Sequence, residues 1–207
     1  TLGNLVCGMR GSGKVDRSRS RRRVAHLRTL APEFTGRRFR VKPWPKRLST
    51  PRTGEARIAE LIPAYLAAEY RWALDDDWLN LRVGERAPDV ARRFPEAAQF
   101  GLMSAWNPCS VERTETANRA ADDALQQDLL DSGRVFLPAF SSAVNRSWRE
   151  PSWLVVDLPL VQFDSLSRRY GQLATLHWVA HDRIRLRVDA PQPRAFAHRA
   201  DVDWLRG

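Results

Sequence analysis

The charge of this chain is divided so unevenly that it sets a boundary before any motif is read. Of 34 lysines and arginines, 15 fall within residues 1–52, which hold two acidic residues; the rest of the 207-residue chain carries 19 basic and 22 acidic ones. The first segment is therefore +13 and the remainder −3. All three lysines, Lys14, Lys42 and Lys46, lie in the basic part. This asymmetry predicts a basic arm joined to a near-neutral folding unit. Residues 16–54 also place Pro32, Pro43, Pro45 and Pro51 among arginine clusters, with too few apolar residues to offset the entropy of ordering. The expectation is a disordered basic arm over 1–54, a folded domain over 55–188 and a short C-terminal tail over 189–207.

An arginine-rich arm binds polyanions by releasing their counterions, so weak, non-specific and salt-sensitive nucleic-acid binding is expected of residues 1–54. The alternative is a patternless leader that is not part of the mature protein, since the segment opens on Thr1; a native N-terminus near residue 55 would favour it. Within the arm, GMRGSGK (8–14) has the glycine and lysine spacing of a phosphate-binding loop, but Val15 stands where a hydroxyl must hold magnesium. The polar run DRSRSRRR that follows has no apolar stripe from which to build the required helix. No nucleotide site is expected there. Cys7 and Cys109, one in the arm and one in the domain, read as free thiols of a reducing compartment. With no basic-then-apolar leader, no eighteen-residue apolar run and a mean hydropathy of −0.48, the chain reads as cytoplasmic and without a membrane partner.

From Glu55 the pattern becomes that of a globular domain. Ile58, Leu61, Ile62, Tyr65 and Leu66 are spaced for a helix ending near Ala68. The runs 69–74 and 78–83 flank Asp75, Asp76 and Asp77 and read as a hairpin, with the aspartates as turn residues rather than magnesium ligands. A short helix over 87–94 precedes a buried strand over 100–106 that stops at Asn107-Pro108. Thr114 is placed to cap a long helix that Gly133 ends. Strands follow over 134–140 and 152–158, then a helix near 160–170 and strands over 173–180 and 183–188. Pro138 suggests that the strand holding it lies at an edge. This order predicts an α+β fold: a mostly antiparallel, mixed sheet of about seven strands with helices mainly on one face.

Three segments, SAWNPCS (104–110), WREPSWL (148–154) and RRYGQLA (168–174), in this order and spacing resemble the bacterial domain of unknown function 3293. The likeness spans about residues 64–180 and none of the arm. Asn107, Pro108, Ser110, Asn118, Trp148, Glu150, Ser152, Gly171 and Gln172 match the family's positions; Ala117 and Leu173 depart from its usual Glu and Asn. The resemblance implies a shared fold and brings no activity with it.

The same residues carry the site expectation. A helix joining strands 152–158 and 173–180 makes them parallel, so their N-terminal ends share one sheet edge. If strand 100–106 runs antiparallel to both, its C-terminal end meets them there. Asn107, Trp148, Glu150 and Gln172 then converge, with Ser110 and Asn118 nearby, as a small polar pocket. In it amides orient a ligand, Glu150 accepts or shuttles protons, and Trp148 forms a stacking wall. The competing reading is structural: Asn107 and Ser110 cap a helix, Glu150 pairs with Arg149 or another arginine, and Trp148 fills the core. His177 and His181, four apart on a strand, stand about 13 Å apart and do not suit one metal ion. Cys109 has no local histidine to serve it as a base. The strand tryptophans, Trp72, Trp78, Trp106, Trp153 and Trp178, read as core rather than base-stacking residues.

A ligand-binding or regulatory module, rather than an enzyme, is the first reading. A nucleic-acid-associated protein using the arm is the second, and an enzyme with Glu150 as acid or base the third. No cofactor or metal is indicated.

Overall fold

A computed structural model describes residues 54–206. The arm, the phosphate-loop-like segment and Cys7 lie outside these described residues. The elements, in chain order, are α1 (Glu55–Ala67), β1 (Glu69–Leu74), β2 (Asp77–Leu81), α2 (Pro88–Arg93), β3 (Gln99–Met103), α3 (Glu115–Asp131), β4 (Phe136–Ser142), β5 (Arg149–Val156), α4 (Leu160–Arg169), β6 (Ala174–Val179), β7 (Arg185–Val188) and β8 (Val202–Trp204). Thr114 caps α3 by accepting the Ala117 N–H, and Gly133 follows that helix at φ 66°, a conformation open to glycine. The β1–β2 turn is tight, with Asp75 at φ 54°. Asp75 and Asp76 thus have the local role expected of them, while Asp77 opens β2.

The strands form one sheet in the order β2-β1-β4-β5-β3-β6-β7-β8. Every pairing is antiparallel except β7 with β8, so the α+β class and the mixed, mostly antiparallel sheet are as expected. β3 lies between β5 and β6 and runs against both, which makes β5 and β6 parallel to one another with α4 as their crossover. The eighth strand comes from the tail, where three residues sufficed to extend the sheet beside β7. Phe196 and Trp204 meet edge to face at 5.7 Å and pack on the core.

The helices divide between the two faces of the sheet, which corrects the one-face expectation. Phe100 and Leu102 of β3, with Leu154 and Val156 of β5, share a core with Ile58, Leu61 and Ile62 of α1 and Val90 of α2. The alternate residues Met103 and Val155 join Leu125 and Leu129 of α3 and Phe163 of α4. A strand covered on both sides needs apolar residues at successive positions, which is why β3 and β5 do not alternate. Gly101 is required by this packing, because a Cβ there would lie 2.2 Å from the Phe163 ring.

β4 is an inner strand, not an edge, despite Pro138. Ala143 N–H donates to the Trp148 carbonyl and Val156 N–H to the Val135 carbonyl, so odd-numbered residues of β4 hydrogen-bond toward β5 and even-numbered ones toward β1. The β1–β4 ladder ends at Trp72 and Ala139, so the missing N–H of Pro138 falls just past it. Pro151 of β5 is accommodated alike: its nitrogen faces β3, whose ladder with β5 ends at Met103 and Trp153.

Candidate functional site

The strand β3 runs into Asn107 and a single 3-10 turn, Pro108–Ser110. Asn107, Cys109 and Ser110 have φ of 46°, 57° and 55°. Left-handed backbone at three non-glycine residues within four positions costs of order 1–3 kcal/mol each and persists only where the surroundings enforce it. Here they do. Cys109 N–H donates to the Gly171 carbonyl at 2.8 Å, tying this turn to the one that opens β6. Asn107 and Asn118 exchange hydrogen bonds: Asn107 N–H to Asn118 Oδ1 at 2.9 Å, and Asn118 Nδ2 to Asn107 Oδ1 at 2.8 Å. Asn107 Oδ1 also accepts the Arg113 N–H at 3.0 Å. These bonds fix the Asn107 amide, leaving Nδ2 to point at β5.

That Nδ2 donates to Glu150 Oε1 at 2.9 Å, and the same oxygen accepts the Trp148 indole N–H at 2.8 Å. Glu150 makes no ion pair among the described residues; the guanidinium of the adjacent Arg149 stacks over Phe140 at 4.4 Å. Burial pushes the Glu150 carboxyl up from its usual 4.5 to about 7, against the opposing pull of the Asn107 and Trp148 donors. Its second oxygen, Oε2, has no hydrogen-bond partner among the described residues. Gln172, 8% exposed, reaches from the turn before β6 to donate its Nε2 to the Trp106 carbonyl at 3.0 Å.

These groups border a cavity of about 240 Å³ between α1 and the adjoining ends of β3, β5 and β6. Asn107, Ser110, Trp148, Glu150 and Gln172 line it, while Asn118 is 2% exposed and stands behind Asn107. Five of the six sequence-predicted residues thus share one wall and the sixth braces it. Asn107 gives no side-chain cap to the turn it precedes, and Trp148 donates to Glu150 at the cavity wall. Elsewhere, His177 hydrogen-bonds Gln99 through Nε2 at 3.2 Å on the opposite face of the sheet, beside Phe163.

The sequence reading missed the roof. Tyr65 of α1 shares a hydrogen bond with Ser110 Oγ, and Tyr70 of β1 donates its hydroxyl to the Tyr65 carbonyl at 2.8 Å. Burial pushes the Tyr65 phenol up to about 12 and raises Tyr70 further. Their spacing matched a buried helix stripe and a strand, so only the polar end that a tyrosine carries signalled another use. Arg57 reaches the mouth, where it bonds Glu60 at 3.1 Å.

Carboxylate, amides and hydroxyls over an apolar floor can hold a small polar ligand, and a carboxyl poised near neutrality can also exchange a proton. No helix among the described residues is long and apolar enough to cross a membrane. Neither the curated proteins nor the solved structures contain a match to this chain. A family model described as a protein of unknown function (DUF3293) matches residues 103–175, from the end of β3 into β6. That span contains all six predicted site residues, and over it the chain is similar to the DUF3293 family.

Proposed function

We propose that the domain binds a small ligand in the cavity beneath α1, and that this binding, rather than turnover, is its task. One observation carries the reading: a half-buried carboxyl on the cavity wall has one oxygen clamped by two donors while the other has no partner among the described residues. That oxygen is not among the buried atoms that lack a partner, so it can be reached from the cavity and is open to a donor on a ligand. The strained turn at Asn107–Ser110 supports the same reading, since such strain gathers where a fixed geometry serves a site.

A fragment screen by ¹H–¹⁵N NMR on the full chain tests this. Ligands that shift the Trp148 indole and the Gln172 and Leu173 amides together are expected. Hits that map elsewhere, or none, would overturn the proposal.

A second reading, Glu150 as general acid or base of an enzyme, is favoured by its carboxyl standing near neutrality beside the Tyr65–Ser110 hydroxyl pair. Chemical conversion of a bound hit, lost in Glu150→Gln, would select it. The +13 charge of residues 1–52 supports a separate, salt-sensitive attraction to nucleic acid that needs no cavity. Deleting the arm should remove that attraction and leave ligand binding intact.

A further inference from the structure

The cavity is uneven in chemistry. Leu61 and Ala64 of α1, Leu102 of β3, and Leu173 and Leu176 give it an apolar side. Its polar end offers two acceptors without partners among the described residues, Glu150 Oε2 and Gln172 Oε1, beside the hydroxyls of Ser141, Ser142 and Thr175. The orientation of the Gln172 amide is settled because its Nε2 is already used by the Trp106 carbonyl. Among the lining residues Glu150 is the sole carboxylate, and the sole cation, Arg57, has a side chain 55% exposed and engaged by Glu60. Once Glu150 is ionised, an anionic ligand would therefore meet a carboxylate balanced only by the exposed, Glu60-engaged Arg57, whereas a donor-bearing cation would satisfy both acceptors.

We propose that the cavity takes a small organic cation, a primary amine or amidine on a short apolar body, whose N–H groups bridge Glu150 Oε2 and Gln172 Oε1. This deepens the ligand-site reading and rests on it. The volume of about 240 Å³ lies below the roughly 300–1,000 Å³ of pockets for drug-sized molecules, which limits the body to a few carbons. The groups facing Glu150 are Tyr65 from α1, Tyr70 from β1 and Arg57 at the mouth. Both phenols are raised by burial and stay neutral through the physiological range, so Glu150 alone titrates there. A bound cation selects the ionised carboxylate and displaces its proton to solvent. Affinity consequently rises with pH up to about 7 and levels off above it.

The test titrates the full chain with n-pentylamine, 1-pentanol and pentanoate, following the Trp148 indole ¹⁵N–¹H signal at pH 5.5 and 7.5. Pentylamine is expected to shift that signal saturably, more tightly than the alcohol, and about tenfold or more tightly at the higher pH, as a carboxyl titrating near neutrality requires. Glu150→Gln, which keeps the Oε1 acceptor, should lose about tenfold in amine affinity together with the pH dependence. If that variant does not fold, the amine-to-alcohol ratio and its pH dependence in the native chain decide. Tighter binding of pentanoate or pentanol, or amine binding unchanged in Glu150→Gln, would overturn the cation assignment and leave a ligand site standing. No response to any of the three would overturn both.

Discussion

Replacing Glu150 by glutamine should stabilise the protein above neutral pH. The carboxamide is nearly isosteric with the carboxyl, and its Oε1 can still accept from Asn107 Nδ2 and Trp148 Nε1, so no donor is orphaned. What changes is the charge. Between pH 4.5 and about 7 the folded protein retains the Glu150 proton while the unfolded chain releases it. Each step up in pH across that window favours the unfolded state. The stabilising contribution of the neutral carboxyl is thus full below 4.5 and lost as pH rises through about 7. At 1.36 kcal/mol per pKa unit, the native chain gives up about 3 kcal/mol across the window, and the variant gives up none of it. For a domain of this size about 2–4 °C accompanies each kcal/mol, so the variant should melt roughly 6–12 °C above the native protein at pH 8. The two melting points should converge near pH 4.5. Chemical denaturation of both proteins across pH 4.5–8.5 measures this directly, since every other titration is common to the pair and cancels. A difference that does not vary with pH would refute the buried, uncompensated carboxyl.

Three further predictions follow from the same geometry. Asn107→Ala leaves the Arg113 N–H and the Asn118 amide without their acceptor and should cost about 2–4 kcal/mol by urea unfolding. It should also raise the Glu150 pKa further, because one of the two donors holding it down is removed. Gly101→Ala forces a methyl against the Phe163 ring and should cost about 1–3 kcal/mol, with Phe163→Leu restoring part of the loss in the double variant. His177, whose burial lowers its pKa to about 4, stays neutral while the unfolded chain takes up a proton below 6.5. Native stability should therefore fall as pH drops from 6.5 toward 4, and His177→Gln should remove that component of the acid limb in a melting-temperature profile.

The convergence at the cavity was legible because it followed from chain topology. A helix between two strands makes them parallel, and the Asn-Pro stop of β3 fixed where its end had to meet theirs. What stayed hidden depended on packing rather than pattern. The division of helices between faces was present in the unbroken apolar runs of β3 and β5, yet such runs name no partner. β8 was invisible because Val202–Trp204 is too short for a periodic signal and gains its place from the edge of β7. Pro138 suggested an edge since sequence cannot show where a neighbouring ladder ends. Tyr65 was read as core because a helix stripe looks the same whether its polar tip meets solvent or, as here, Ser110.

The central claim is that Glu150 stands as a half-buried carboxyl, with one oxygen held and one open, on the wall of a ligand cavity. A ¹³C NMR titration of its side-chain carboxyl carbon, assigned by its absence from Glu150→Gln, addresses that claim most directly. The account predicts a midpoint near 7 that moves downward when pentylamine is added. A midpoint at the ordinary glutamate value of about 4.3, indifferent to added amine, would contradict it.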